Sequence, residues 1–307
     1  MQISTGQIFQ RGADQMSSQK SKVTEMQAKL SSGKQVLRPS DDPEQAGTIQ
    51  RIKSASARQD SYEKTLNTMN DRLATEEASL RAIDNVMQRV RVLAVQAASY
   101  TATEADRKII AVEANSLRQE LLSLTNMQDS SGNYVFSGSK MRTPPYQEDA
   151  SGAVQYMGDN NIMEVAVSDQ RRMSVNRPGN DVFTPVVREE EGKAPTRIGF
   201  FTIIEDFAAA LEDNSGDGSR RALNEVSQVV DNLALSMANV GGRINEVQRQ
   251  FDVLSDTKIR FADMLSKAED LDYAKAVTEL TAEMLSLEAG QASFAKITQL
   301  SLFDYIR

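Results

Sequence analysis

The chain has no cysteine, no histidine and no tryptophan. Without cysteine there is no disulfide, no thiolate metal site and no thiol nucleophile. Without histidine the commonest general base and the commonest metal ligand are missing as well. Aromatic residues make up only 6% of the 307 positions, which argues against a large compact core. No run reaches the ~18 apolar residues of a membrane span, so no membrane insertion is expected. The longest, Ile198 to Ile204, is far too short. An excess of positive charge is also absent. With 43 acidic against 35 basic residues the net charge is −8, the wrong sign for a general nucleic-acid binder. The opening Met1-Gln-Ile-Ser-Thr-Gly-Gln lacks the basic start and apolar stretch of a secretory signal, so no cleaved signal peptide is expected.

What is present is heptad periodicity, the primary signal for long helices. From Leu223 the a/d positions run Leu223, Val226, Val230, Leu233, Met237, Val240, Ile244, Val247, Phe251, Leu254, Lys258, Phe261 and Leu265. All but Lys258 are apolar, and the stretch predicts a helical rod of roughly 65 Å. A helix that long needs a partner lying along it. Leu66, Met69, Leu73, Glu76, Leu80, Ile83, Met87, Val90, Ala94 and Ala97 supply one, with Glu76 the single charged member. Asp42 followed by Pro43 predicts its start, as N-cap and first helical residue. A third helix is predicted to open at Thr101, with Glu104 completing a capping box. Its stripe is Ile109, Val112, Leu117, Leu121 and Leu124, and it ends before the Asp129-Ser-Ser-Gly132 turn.

Between 133 and 198 the period changes to two. Tyr134–Phe136, Val154–Tyr156, Met163–Val167 and Met173–Val175 alternate, and five of the seven prolines fall here. Both ends then return to helix. Phe9, Met16, Val23 and Leu30 recur in steps of seven, and Tyr273, Val277, Leu280, Met284, Leu287 and Phe294 form a second stripe. Residues 1–35 carry five basic and two acidic groups, and residues 265–307 carry four basic and seven acidic, an asymmetry that favours pairing of the two ends. The predicted fold is mainly α, a long coiled-coil-like helical rod formed by both chain ends with a small inserted β-rich domain. Its parts are 1–42 with 266–307, 43–132 with 199–265, and the insert 133–198.

No catalytic constellation emerges. Asp41 and Asp42 are neighbours in an Asp-Asp-Pro turn, which reads as a helix cap. Asp213-Asn-Ser-Gly-Asp217-Gly218 begins like a calcium loop, but the twelfth position is Asn224 where the ion needs a bidentate Glu. It reads as a solvated turn. The Glu189–Glu191 run reads as a loop face. The serines have no histidine to activate them and no GxSxG elbow, and neither GxGxxG nor a P-loop is present. No cofactor, no metal site and no enzyme activity is expected. The terminal helices have few aromatics and many Ser, Gln and Ala, and are expected to order only when packed against neighbouring subunits.

Three stretches carry a family resemblance. Leu30-Ser-Ser-Gly-Lys-Gln-Val-Leu-Arg-Pro-Ser-Asp-Asp42 resembles the N-terminal signature of bacterial flagellins. Ala238-Asn-Val-Gly-Gly-Arg-Ile-Asn245 resembles the glycine-containing part of their C-terminal rod helix. Leu271-Asp-Tyr-Ala-Lys-Ala-Val277 through Leu287-Glu-Ala-Gly-Gln291 is similar to their C-terminal signature. Gly132–Gly138, Tyr156–Asp159 and Val175–Phe183 are similar to the flagellin-like hook-associated proteins within that family, as is the Met1–Gly6 opening.

The resemblance implies a structural subunit outside the cell, on the bacterial flagellum, exported through the flagellar type III apparatus with a dedicated export chaperone. It implies copies of itself arranged in a ring, the first hook-associated protein on the hook side and flagellin on the filament side. A filament flagellin is the alternative within the family. The residues expected to carry assembly are Phe9, Met16, Val23 and Leu30, with Val277, Leu280, Leu287 and Phe294.

Overall fold

The computed structural model describes residues 5–189 and 194–305. The chain separates into two compact units, residues 1–59 with 256–307 and residues 60–255. Of the expectations above, Met1–Ser4 of the opening and Glu190 and Glu191 of the acidic run lie outside the described residues. The elements in order are α1 (Thr5–Ser32), α2 (Pro43–Ala98), α3 (Glu104–Thr125), β1 (Tyr146–Glu148), β2 (Val154–Tyr156), β3 (Glu164–Ala166) and β4 (Arg172–Ser174). There follow α4 (Gly179–Val182), β5 (Val186–Arg188), β6 (Thr196–Ile198), α5 (Phe200–Glu212), α6 (Gly216–Glu269) and α7 (Tyr273–Tyr305). The fold is mainly α, with long helices and a small strand-containing region. No helix among the described residues is long and apolar enough to cross a membrane.

In the unit of residues 60–255 both heptad seams are buried. All ten seam residues of α2 from Leu66 to Ala97 are at most 2% exposed, including Glu76. Those of α6 from Leu223 to Leu254 are buried in the same core or packed against its edge. Asp42 caps α2 by accepting the Gln45 N–H at 2.9 Å, as the Asp-Pro pair predicts.

Helix α3 starts later than its sequence suggests. Thr103 is the N-cap and Asp106 closes the capping box, because Ser99 and Thr101 bond to each other at 2.8 Å in the preceding turn. Its buried face is Ile110, Ala111, Ala114 and Leu121, while Ile109 and Val112 are 71% and 70% exposed. Arg107 lies on the same buried face and donates to the Ala97 carbonyl and to Asn214.

Among the described residues the strand region is three separate antiparallel ribbons rather than one sheet. Tyr146 faces Tyr156 in β1–β2, Val165 faces Met173 in β3–β4, and Val187 faces Arg197 in β5–β6. Tyr134–Phe136 does not form the expected strand. Gly132 and Gly138 bracket it at φ +76° and +69°, so the chain turns on both sides, and Tyr134 makes only an isolated bridge to Gln128. Aromatic packing links the β1–β2 ribbon to the residues that flank β5–β6. Phe136, Tyr146, Tyr156, Phe183, Phe200 and Phe201 form a chain of ring contacts with centroids 5.0 to 5.8 Å apart. Burial among them raises the Tyr146 hydroxyl pKa and pushes that of Tyr156 up to about 12. The last two rings open α5, a helix buried on most sides, so the apolar run from Ile198 to Ile204 is the end of β6 and the start of α5.

Candidate assembly interface

In the unit of residues 1–59 and 256–307, α1 and α7 lie antiparallel. At one end Leu271 N–H donates to the Gly33 carbonyl and Gln35 N–H to the Glu269 carbonyl, both at 2.9 Å. At the other, the rings of Phe9 and Phe294 meet edge to face at 5.8 Å. In between, Gln19 donates to Ser286 at 2.8 Å and Lys22 sits 3.8 Å from Glu283. The charge asymmetry of the two ends is therefore used across the pair, though an exposed contact of this length contributes little stability.

Two glycines face the opposite helix across the pair. A Cβ on Gly12 would stand 2.9 Å from the Phe294 ring, and one on Gly290 would stand 3.3 Å from Gln19. Around them, Met16, Gly12, Gly290 and Phe294 line a groove of about 270 Å³. At the turn after α1, Gly33 holds φ +69° with the Tyr273 hydroxyl 2.8 Å from where its Cβ would lie. The Leu30–Asp42 stretch thus has a physical reading. Gly33 supplies a left-handed turn, Asp41 accepts the Arg38 N–H, and Asp42 caps α2. Glu269 joins this corner to the long helices, binding Lys34 at 2.6 Å and Lys53 at 2.8 Å. Those contacts, the Lys34 hydrogen bond first, hold its carboxyl below the usual carboxylate range.

Of the eight residues singled out for assembly, Val23 is buried, and Phe9, Met16, Leu30, Leu280, Leu287 and Phe294 are half-buried. Val277 is 50% exposed. The covered positions of α1 are Phe9, Gly12, Met16, Gln19, Val23, Met26 and Leu30, alternating in threes and fours. On α7 they are Ala276, Leu280, Glu283, Leu287, Gly290 and Phe294, in the same alternation. Reading α1 in steps of seven finds only half of its seam. The missing half includes glycine and glutamine, which no search for apolar residues returns. A second strip of α7 remains uncovered. Tyr273, Val277, Met284 and Leu285 are 50% to 67% exposed. Against them, the buried apolar side chains described in this unit are Val23, Ile52 and Ala276.

Residues 3–141 match the family model of the bacterial flagellin N-terminal helical region. This match covers just under half of the chain, and relatives named flagellar hook-associated protein 3 and flagellin align over most of its length. The chain is similar to flagellar hook-associated protein 3 of Escherichia coli, with 24% identity across 99% of each chain. Its fold is that of the flagellar hook-associated protein from Vibrio parahaemolyticus, at a TM-score of 0.66 and 21% identity over 75% of this chain and all of that one. The flagellar junction protein FlgL from Legionella pneumophila superposes with a TM-score of 0.58 at 18% identity, over 66% of this chain and 99% of that one.

Proposed function

We propose that this protein is the adaptor that joins the flagellar hook to the filament. Copies of the chain assemble in a ring, with the first hook-associated protein on one axial face and flagellin on the other. Residues 1–42 and 266–307 form the inner tube, residues 43–132 and 199–265 a surrounding rod, and 133–198 an outer insert. Before assembly the chain is held by a flagellar export chaperone and leaves through the type III apparatus. The observation that carries the reading is the full-length similarity to hook-associated protein 3. The exposed apolar strip on α7 supports assembly through the chain ends, since a lone subunit would leave that surface in water.

The position is tested by immunogold electron microscopy with an antibody to residues 133–198. A single cluster at the distal end of the hook is expected. Label along the entire filament would identify a bulk flagellin instead. Two substitutions separate folding from assembly. Leu280→Asp strikes the α1–α7 seam and is expected to loosen that pair and block polymerisation. Val277→Asp strikes only the uncovered strip and is expected to leave helicity unchanged while blocking incorporation. Normal incorporation of both variants would refute assembly through these helices.

A further inference from the structure

The α2 and α6 seams have a register problem. Nine of the ten seam positions on α2, and all those of α6 from Leu223 to Leu254, are apolar. A slip of seven residues would present nearly the same surfaces to one another. The exception is Glu76, 1% exposed, whose Oε2 accepts from Arg243 Nη1 on α6 at 3.2 Å. Arg243 in turn donates to the Ser174 carbonyl of β4 at 3.0 Å.

This pair is poorly suited to supplying stability. Glu76 Oε1 has no hydrogen-bond partner. Burial pushes the carboxyl pKa above its usual range, even with Arg243, Arg177 and Arg72 close by. One heptad away from Arg243 along α6 stand Ser236 and Gln250, both buried and neither charged. A slip in either direction would take Arg243 away from the buried carboxylate, and removing one partner of a buried pair is strongly unfavourable.

We infer that Glu76 and Arg243 act as a register pin, a buried ion pair that selects one alignment of the two long helices over those displaced by a heptad. Because Arg243 also holds β4, the same pin fixes the strand region to that alignment.

The absence of native cysteine makes the test direct. Ala78→Cys and Asn239→Cys, both exposed, carry spin labels on α2 and α6. A seven-residue slip moves one label by about 10 Å along the axis, which pulsed dipolar spectroscopy resolves. In the otherwise native chain one narrow distance distribution is expected. In E76L/R243M a second or broadened population is expected, with a melting temperature no lower than that of the parent. One unchanged narrow distribution in E76L/R243M overturns the inference, whether the melting temperature rises or falls. If that variant does not fold, E76Q/R243M, which keeps the shape at position 76, is read by the same criterion.

Discussion

Replacing Arg188 with alanine is expected to cost the unit of residues 60–255 far more than a surface ion pair would. Arg188 on β5 grips Glu225 of α6 with two parallel hydrogen bonds, Nε to Oε1 at 2.6 Å and Nη2 to Oε2 at 2.8 Å. Its third nitrogen reaches Asp206 of α5 at 2.5 Å. The side chains of Arg188 and Glu225 are 10% and 3% exposed, so solvent screens the pair poorly. Bonding to Glu225 raises the pKa of the guanidinium further above its usual range. Arg188→Ala strands the Glu225 carboxylate in a dry site, and losses of this kind run to about 3–5 kcal/mol. An exposed pair would lose at most about 1 kcal/mol.

The assay is urea unfolding at pH 7, with R188A, E225L and R188M/E225L compared in a double-mutant cycle. The double variant, which buries no charge, is expected to lie close to the parent or above it in stability. If R188A costs under about 1 kcal/mol, or the two single losses simply add, the argument for a buried clamp fails.

Leu80, fully buried in the seam core, is expected to lose about 3–5 kcal/mol on Leu80→Ala, read as a lowered urea midpoint with an unchanged slope. Gly33→Ala must adopt a left-handed backbone and displace the Tyr273 hydroxyl, with an expected cost of about 1 kcal/mol or more, seen as faster amide exchange where α1 and α7 meet. Glu269 has a depressed pKa, so its contribution is present in full above the ordinary carboxylate value near 4 and is lost as the pH falls through the lower folded value. Glu269→Gln is therefore expected to flatten the acid side of the stability profile for the unit containing α7, and an unaltered profile would count against the Lys34–Glu269–Lys53 contact.

The long helices were legible because one physical rule dominates them. A seam stays apolar at a period of 3.5 for as long as it is buried, and the a/d positions of α2, Glu76 apart, and of α6 up to Leu254 do so. The cap at Asp42 was legible for a similar reason, since a side-chain oxygen next to a proline leaves the backbone few alternatives. The strand region followed no such single rule. Its ribbons are three residues each, too short for alternation to outweigh turn geometry. Tyr134–Phe136 alternates well, but Gly132 and Gly138 decide its path. The strands β1, β5 and β6 carry no pattern that separates them from loop, and they are held by aromatic and ionic contacts with residues distant in sequence.

The α1–α7 pair was half legible, and its hidden half explains the visible one. Phe9 and Phe294 read as apolar stripe residues in isolation, yet their contact requires Gly12 to be empty at its Cβ position. A glycine inside a helix lowers helix propensity, so in a list of residues it looks like a defect. Across the seam it becomes the hole into which the partner's ring fits. The same reasoning sorts the α7 stripe. Leu280, Leu287 and Phe294 fall on the face that α1 covers, whereas Val277 and Met284 lie beside it and stay half exposed. One stripe in the sequence thus serves two surfaces, one closed within the subunit and one open. Only the open one is free to meet a neighbour, and that makes Val277→Asp a sharper test of assembly than any substitution in the closed seam.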